Sequence, residues 1–84
     1  MKTEIFWSQS VLDILEEIRP AELDEIDRDV ALLESFPRLY PVKRSGRYRG
    51  HRWFACGNWP VFYRFASGKV FIRGVWPARI PLPR

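Results

Sequence analysis

Residues able to bind phosphate and bases are concentrated in the second half of the chain. Arg44, Arg47, Arg49 and Arg52 alternate with Tyr48, His51 and Trp53, while Arg64, Arg73 and Arg79 follow beside Trp59, Tyr63 and Trp76. Arginine forks grip phosphate, and aromatic rings stack on unpaired bases. The pattern is typical of a surface for single-stranded RNA, although a solvated strand face whose arginine stems cover aromatic rings has the same composition. The residues predicted to bind nucleic acid are Lys43, Arg44, Arg47, Arg49, Arg73 and Trp76.

A second kind of chemistry is available at the single histidine. His51 has a reference pKa near neutrality and is a candidate general acid or base, although a lone histidine is more often structural or exposed. An arginine cluster also promotes phosphoryl transfer by stabilising the charge that develops on the phosphate. That mechanism suits a chain in which no acidic residue follows Glu34.

Other catalytic templates are absent from the sequence. There is no glycine-rich phosphate loop, and one Cys with one His cannot build a zinc site without carboxylates, so we predict neither a metal nor a cofactor. Cys56 is expected to be a small buried hydrophobic residue at the end of a strand. The acidic residues after Glu4 fall on helical faces, where carboxylates ordinarily form a solvated surface.

The charges divide the chain into two halves. Residues 1–37 hold all ten acidic residues and three basic ones, for a net charge of −7. Residues 38–84 hold eleven basic residues and no acidic one, for a net charge of +11, so the formal total of +4 conceals the asymmetry. A field of this size attracts polyanions, which predicts a nucleic acid or an acidic protein segment as the partner.

Length and composition predict one small cytoplasmic domain. The 84 residues suffice for a single core, and 46% hydrophobic residues are too many for a disordered chain. No apolar run approaches the roughly 18–20 residues that span a bilayer, and residues 1–7 lack the features of a signal peptide. One cysteine cannot form an internal disulfide and fits a reducing compartment. We therefore predict a single domain over 1–84, with no membrane partner.

Hydrophobic spacing predicts two helices after a short strand at residues 2–7. Ser8 and Ser10 are candidate N-caps of a first helix that ends at Pro20, and the second helix extends from about Ala21 to Ser35. Apolar residues at helical spacing form one seam on each helix, namely Val11, Ile14, Leu15 and Ile18 on the first and Leu23, Ile26, Val30 and Leu33 on the second. Each seam needs a partner surface, so the two helices form a hairpin against a sheet.

Three further strands are predicted at Arg47–Cys56, Trp59–Phe65 and Lys69–Trp76, joined by turns at 57–58 and 67–68 into an antiparallel meander. Pro60 lacks a donor for the ladder, so we expect either a bulge there or a donor position that faces away from its neighbours. Prolines 77, 81 and 83 predict an extended tail over 77–84.

The predicted fold class is therefore α+β. An N-terminal strand and a helical hairpin precede the three-stranded antiparallel meander, and the helices pack on one face of a small sheet. We expect aromatic residues such as Phe54, Phe62 and Phe71 to meet the helical seams. The other face of the sheet is expected to be open, as antiparallel sheets permit.

This order of elements, with a series of local motifs, resembles the RelE/ParE superfamily of bacterial toxins from type II toxin–antitoxin modules. The motifs follow one another along nearly the whole chain: Ile5-Phe6-Trp7-Ser8, Leu33 to Pro37, Arg47 to Arg52, Val61 to Phe65, and Val70 to Arg79. The resemblance implies a toxin that is neutralised by the acidic or amphipathic segment of a cognate antitoxin. It also implies one of two activities: RelE-like members cleave mRNA in the ribosomal A site, and ParE-like members inhibit DNA gyrase.

The resemblance also assigns roles to residues. RelE-type sites place basic residues on the first meander strand, where Arg49 and Arg52 stand with His51 between them. They also place an arginine at the end of the last strand, which Arg79 matches. With Arg64 on the middle strand, the implied catalytic residues are Arg52, Arg64, Arg79 and His51.

Two positions depart from the nuclease pattern. The arginine expected before the Val-Phe-Tyr stretch of the middle strand is replaced by Pro60, and Arg64 lies beyond Tyr63 instead. The C-terminal Tyr or His of such sites has no counterpart among residues 80–84. An mRNA nuclease, a gyrase inhibitor and a non-toxic module that binds nucleic acid or acidic peptides therefore stay open as functions.

Overall fold

Two helices and a four-stranded mixed sheet form the fold of residues 2–76, which a computed structural model describes. The elements are β1 (Glu4–Trp7), α1 (Gln9–Leu15), α2 (Pro20–Ala31), a 3₁₀ turn (Leu32–Glu34), β2 (Arg52–Cys56), β3 (Trp59–Ala66) and β4 (Lys69–Val75). The α+β class, the helical pair and the three antiparallel strands are confirmed. The predicted tail over 77–84, with Arg79, lies outside the described residues.

The first strand extends the sheet beyond the predicted meander. β1 pairs in parallel with β4, with Phe6 opposite Phe71, and the strand order is β1-β4-β3-β2. A parallel pair needs a long crossover, and the two helices with β2 and β3 supply it. The sheet is therefore mixed and open rather than purely antiparallel.

Both helices are shorter than their apolar seams predict. Ser8 caps α1, because its side-chain oxygen accepts a hydrogen bond from the Val11 amide at 3.3 Å. The helix ends at Leu15, well before Pro20, and the chain then turns through bonds such as Ile18 N–H to the Leu15 carbonyl at 3.2 Å. Pro20 starts α2, where its missing N–H costs nothing. That helix ends at Ala31 and tightens into the 3₁₀ turn instead of continuing to Ser35.

The main core lies between the helices and one face of the sheet. The fully buried side chains come from both layers, with Val11, Ile26, Val30 and Leu33 from the helices and the 3₁₀ turn, and Val61, Tyr63, Val70 and Ile72 from the strands. Phe54 lies on this face, as predicted. Phe62 and Phe71 do not, because they alternate with Val61, Tyr63, Val70 and Ile72 and so point away from the helices.

We call the sheet face away from the helices the open face. It carries Phe6, Trp53, Phe62, Arg64 and Phe71, as the strand register requires. Part of it is covered by residues 41–51, which we call the 41–51 loop.

The 41–51 loop replaces the start of a predicted strand. Residues 47–50 form turns, so β2 begins at Arg52 rather than at Arg47. Gly46 and Gly50 have φ of 84° and 88°, a left-handed geometry that an extended strand cannot contain. Hydrogen bonds close the loop, from the Lys43 amide to the His51 carbonyl at 2.7 Å and from the Gly50 amide to the Lys43 carbonyl at 2.9 Å. The closed loop lays Tyr48 flat on Phe62, with ring centroids 4.2 Å apart.

A β-bulge in β4 aligns the sheet with this loop. Phe62 pairs with Gly74 and Tyr63 pairs with Ile72, so Arg73 has no partner on β3. The bulge therefore lies across from Phe62 and Tyr63. Of the two alternatives expected at Pro60, the bulge is not found, because Pro60 keeps a regular register opposite Ala55. Pro60 sits near the start of β3, and its carbonyl accepts a hydrogen bond from the Trp76 amide at 3.1 Å.

Gly74 leaves room for the Tyr48 ring. A Cβ placed on Gly74 would lie 2.6 Å from Cζ of Tyr48, which is closer than real side-chain carbons approach. The lack of a side chain at this position is therefore what allows Tyr48 to pack on the open face.

Gly74→Ala should destabilise the fold by about 1–3 kcal/mol, because the added methyl displaces a packed ring. Urea unfolding would measure the cost. In a Tyr48→Ala background the same substitution should cost almost nothing, since the methyl enters the vacated space. An equal cost in both backgrounds would contradict the proposed contact.

Candidate nucleic-acid interface

A cleft of about 710 Å³ opens where β1 ends and β4 continues beyond it, paired there with β3 alone. We call it the basic cleft. Its wall is formed by the start of α1, the 41–51 loop and the end of β4, with Ser8, Ser10, Arg47, Tyr48, His51, Arg73 and Trp76 among its lining residues. Among residues 2–76, two arginines and no acidic side chain line it, so it favours an anion.

Tyr48 forms the rigid floor of the basic cleft. It is 9% exposed, and its hydroxyl accepts a hydrogen bond from the Trp76 indole N–H at 2.8 Å. The His51 ring meets the Tyr48 ring edge-on, with centroids 5.5 Å apart. The hydroxyl proton of Tyr48 is left free by the Trp76 bond, because the indole nitrogen can only donate.

His51 is held with one nitrogen inside the protein. Its Nδ1 is buried and has no hydrogen-bond partner among residues 2–76. Burial lowers the pKa of His51 below its usual 6.5, the charges of Arg64 and Arg73 act in the same direction, and the nearby carbonyl oxygens of Arg49 and Tyr48 oppose the shift. The imidazole is therefore mainly neutral at pH 7. Because Nδ1 is buried, Nε2 is the ring nitrogen available to accept a proton.

The structure brings four of the predicted residues together in the basic cleft: Arg47, His51, Arg73 and Trp76. Arg64 lies on the neighbouring strand of the open face, where it pairs with Phe71 and is close enough for its charge to act on His51. The side chains of Arg47, Arg64 and Arg73 are all exposed. Within residues 2–76 none of the three forms an ion pair, so none has to be broken before the guanidinium meets a phosphate.

Arg52 points to the opposite side of the sheet. It pairs with Tyr63, whose ring lies in the main core. Its Nη1 donates to the Tyr40 carbonyl at 2.7 Å and contacts the Arg38 carbonyl at 3.5 Å. The guanidinium therefore fastens residues 38–40 to β2, and the structure does not bring Arg52 together with His51.

Three further predicted residues belong to the 41–51 loop. Lys43 places its Nζ 5.7 Å from the Trp53 ring centroid, a cation–π contact on the open face. Arg44 and Arg49 are exposed on the 41–51 loop. Arg79 is outside the described residues.

Cys56 takes no part in this interface. It is 4% exposed in the main core, as predicted, and burial with the nearby Asp29 raises the pKa of its thiol to about 12. A protonated buried thiol is a poor nucleophile. Within residues 2–76, no group of three or more His, Cys, Asp or Glu side chains is placed to hold a metal ion.

Tyr48, Ser8 and Ser10 line the cleft although they are not among the predicted site residues. The sequence pattern predicts the two serines only as helix caps, and Ser8 does cap α1. It places Tyr48 in the basic and aromatic series of a strand, but the glycines at 46 and 50 on either side of it indicate a closed loop.

The neutral state of His51 can be tested directly, because the chain contains a single histidine. Its imidazole should titrate below pH 6.5 in an NMR pH series, and Arg73→Gln should raise that pKa by removing a like charge. Arg44→Gln, which changes a charge not facing His51, should leave it unchanged. Because the unfolded chain binds more protons below pH 6.5, stability should fall as the pH drops through that range. A pKa at or above 6.5 would contradict the burial of Nδ1.

Arg52→Ala should destabilise the protein by about 1–3 kcal/mol, because the Tyr40 carbonyl loses a charged donor. Arg49→Ala, which removes an exposed arginine three residues earlier, should change the free energy of unfolding by less than about 0.5 kcal/mol. Urea titration of both variants would compare them. Equal stability of the two variants would show that Arg52 does not fasten residues 38–40.

No protein-family model matches the sequence, and no curated protein matches it significantly. The resemblance to the RelE/ParE superfamily therefore stays a prediction that rests on the order of elements and on the motifs. None of the helices within residues 2–76 is long and apolar enough to cross a membrane.

Proposed function

We propose that the chain is the toxin of a type II toxin–antitoxin module and that it inhibits translation by cleaving mRNA on the ribosome. The observation that carries the proposal is the basic cleft, where a neutral His51 faces a ligand site beside exposed arginines. The mixed sheet with a helical pair on one face agrees with the resemblance at the level of fold class.

Binding of RNA in the basic cleft is supported by its charge. Arg47 and Arg73 line the cleft, and Arg64 stands nearby on the open face. Guanidinium groups hold phosphate oxygens in a two-pronged geometry and release counterions on binding. RNA affinity should therefore fall steeply with salt concentration.

The chemistry assigned to the cleft is transesterification of the RNA backbone. The ribose 2′-oxygen attacks the adjacent phosphorus while its proton passes to Nε2 of His51. The bond from phosphorus to O5′ breaks, and water protonates the leaving oxygen. The products are a 2′,3′-cyclic phosphate and a 5′-hydroxyl end, and His51 returns its proton to the hydroxide. Arg73 stabilises the extra negative charge on the phosphorane.

The partner that silences the toxin is proposed to be an antitoxin with an acidic or amphipathic segment. The open face presents exposed basic side chains at Arg64 and Arg73, and the 41–51 loop adds Arg44, Arg47 and Arg49. An acidic segment laid across this surface would compete with RNA for the same charges.

Expression of the chain in bacteria should arrest growth, and purified protein should cleave mRNA on programmed ribosomes. His51→Ala and Arg73→Gln should each lower the cleavage rate by about 10²-fold or more, because each removes a group that acts on the reacting atoms. The rate should rise with pH through the lowered pKa of His51 and then level off. Arg38→Gln is the matched control, since Arg38 is exposed but stacks on Phe65 away from the cleft.

A ParE-like gyrase inhibitor is the second candidate, and the orientation of Arg52 favours it. The arginine of the first meander strand that the nuclease pattern uses is engaged with the Tyr40 carbonyl on the other side of the sheet. If this function is correct, purified protein blocks DNA supercoiling and leaves ribosome-bound mRNA intact. RNA or acidic-peptide binding without growth arrest would identify the non-toxic module instead.

A further inference from the structure

A pair of stacked aromatic rings lies on the open face outside the basic cleft. Phe6 of β1 and Phe71 of β4 face one another in register, with ring centroids 5.6 Å apart and an interplanar angle of 22°. Phe6 is 41% exposed and Phe71 is partly exposed. We call these two residues the stacking pair. Neither is among the residues that the cleft uses.

The surroundings of the stacking pair are mainly basic. Lys69 places its Nζ 5.6 Å from the Phe6 ring centroid, and Arg64 is the cross-strand neighbour of Phe71. Glu4, two residues before Phe6, is the acidic side chain of this part of the open face. An apolar protein surface would be matched poorly by these two cations, whereas a base with its phosphates offers both a flat ring and negative charge.

The stacking pair and the basic cleft share one strand. Phe71 precedes Arg73 by two residues of β4, which corresponds to about 7 Å of extended chain. A nucleotide next to the one held in the cleft therefore reaches the stacking pair with its base while its phosphate stays near Arg64 or Arg73.

We propose that the stacking pair is a binding subsite for an unpaired RNA base adjacent to the phosphate held in the basic cleft. The inference rests on the proposed function for its ligand class, single-stranded RNA, but it requires binding only and not cleavage. Stacking accepts any base, so the subsite adds affinity for unpaired RNA rather than a sequence code.

Fluorescence titration of a short single-stranded RNA would measure the subsite. Phe71→Leu keeps an apolar side chain but removes the aromatic ring, and Phe6→Ala removes the outer ring. Each should weaken binding by about tenfold, within the range that base–aromatic stacking supplies. Leu32→Ala is the control, because it removes an exposed apolar side chain from the 3₁₀ turn after α2. That variant should bind like the wild type, and circular dichroism should show all three variants folded.

An abasic RNA makes the test specific for stacking. We would place a single abasic nucleotide at each position in turn. At one position, removal of the base should weaken binding to the wild-type protein about as much as Phe71→Leu weakens binding of the intact RNA. The Phe71→Leu variant should lose nothing further at that position, since the ring and the base form one interaction. Additive losses at every position, or unchanged affinity of Phe71→Leu, would overturn the subsite.

These outcomes separate the subsite from the proposed function. If the wild-type protein binds RNA with steep salt dependence and the stacking-pair variants bind equally well, the subsite is overturned and the proposed function stands. A wild-type protein with no affinity for RNA removes both. Loss of affinity for an acidic peptide, with RNA affinity unchanged in the Phe6→Ala and Phe71→Leu variants, would overturn the subsite by assigning the patch to a protein partner.

Discussion

The contact between the Tyr48 ring and Gly74 is the constraint on which the open face depends. The ring lies on Phe62 and fills the space that a side chain at Gly74 would occupy. Its hydroxyl is tied to Trp76 at the end of β4. One tyrosine thus fastens the 41–51 loop to the sheet, and His51, three residues later, acquires its place beside the arginines. Without this contact the loop would be held mainly by its own backbone bonds, and the basic cleft would lose a wall.

The bulge at Arg73 makes that contact compatible with the main core. In a regular strand Gly74 would face the helices with Ile72, and Val75 would face outward. The extra residue reverses this order, so Gly74 lies under Tyr48 while Val75 is fully buried in the core. A single inserted residue therefore turns Gly74 toward Tyr48 on one face and Val75 into the core on the other. Arg73 itself remains exposed in the cleft.

Much of the fold could be predicted from the sequence, and the misses have local physical causes. Helical spacing located both helices, and β3 and β4 were predicted to within a residue at each end. The start of β2 was missed because alternating basic and aromatic residues from Arg47 imitate a strand. The bulge depends on how β4 pairs with β3, which no local pattern encodes. Phe62 and Phe71 were also predicted on the wrong face. The two-residue turn at 57–58 pairs Phe54 with Val61, so Phe62, the next residue, points to the side opposite Phe54.

The same parity decides which of the arginines can act together. Eleven basic residues after position 37 suggest one continuous surface, but neighbouring residues of a strand point to opposite sides. Arg52 consequently donates hydrogen bonds to the carbonyls of Arg38 and Tyr40 on the helix side. Arg64 and Arg73 instead share the open face with the 41–51 loop. Positive charges occur throughout residues 38–84. Only the arginines on the side of the sheet away from the helices, however, can converge on one phosphate. Charge composition therefore predicts the class of partner, and the pleat of the sheet determines which arginines share one face.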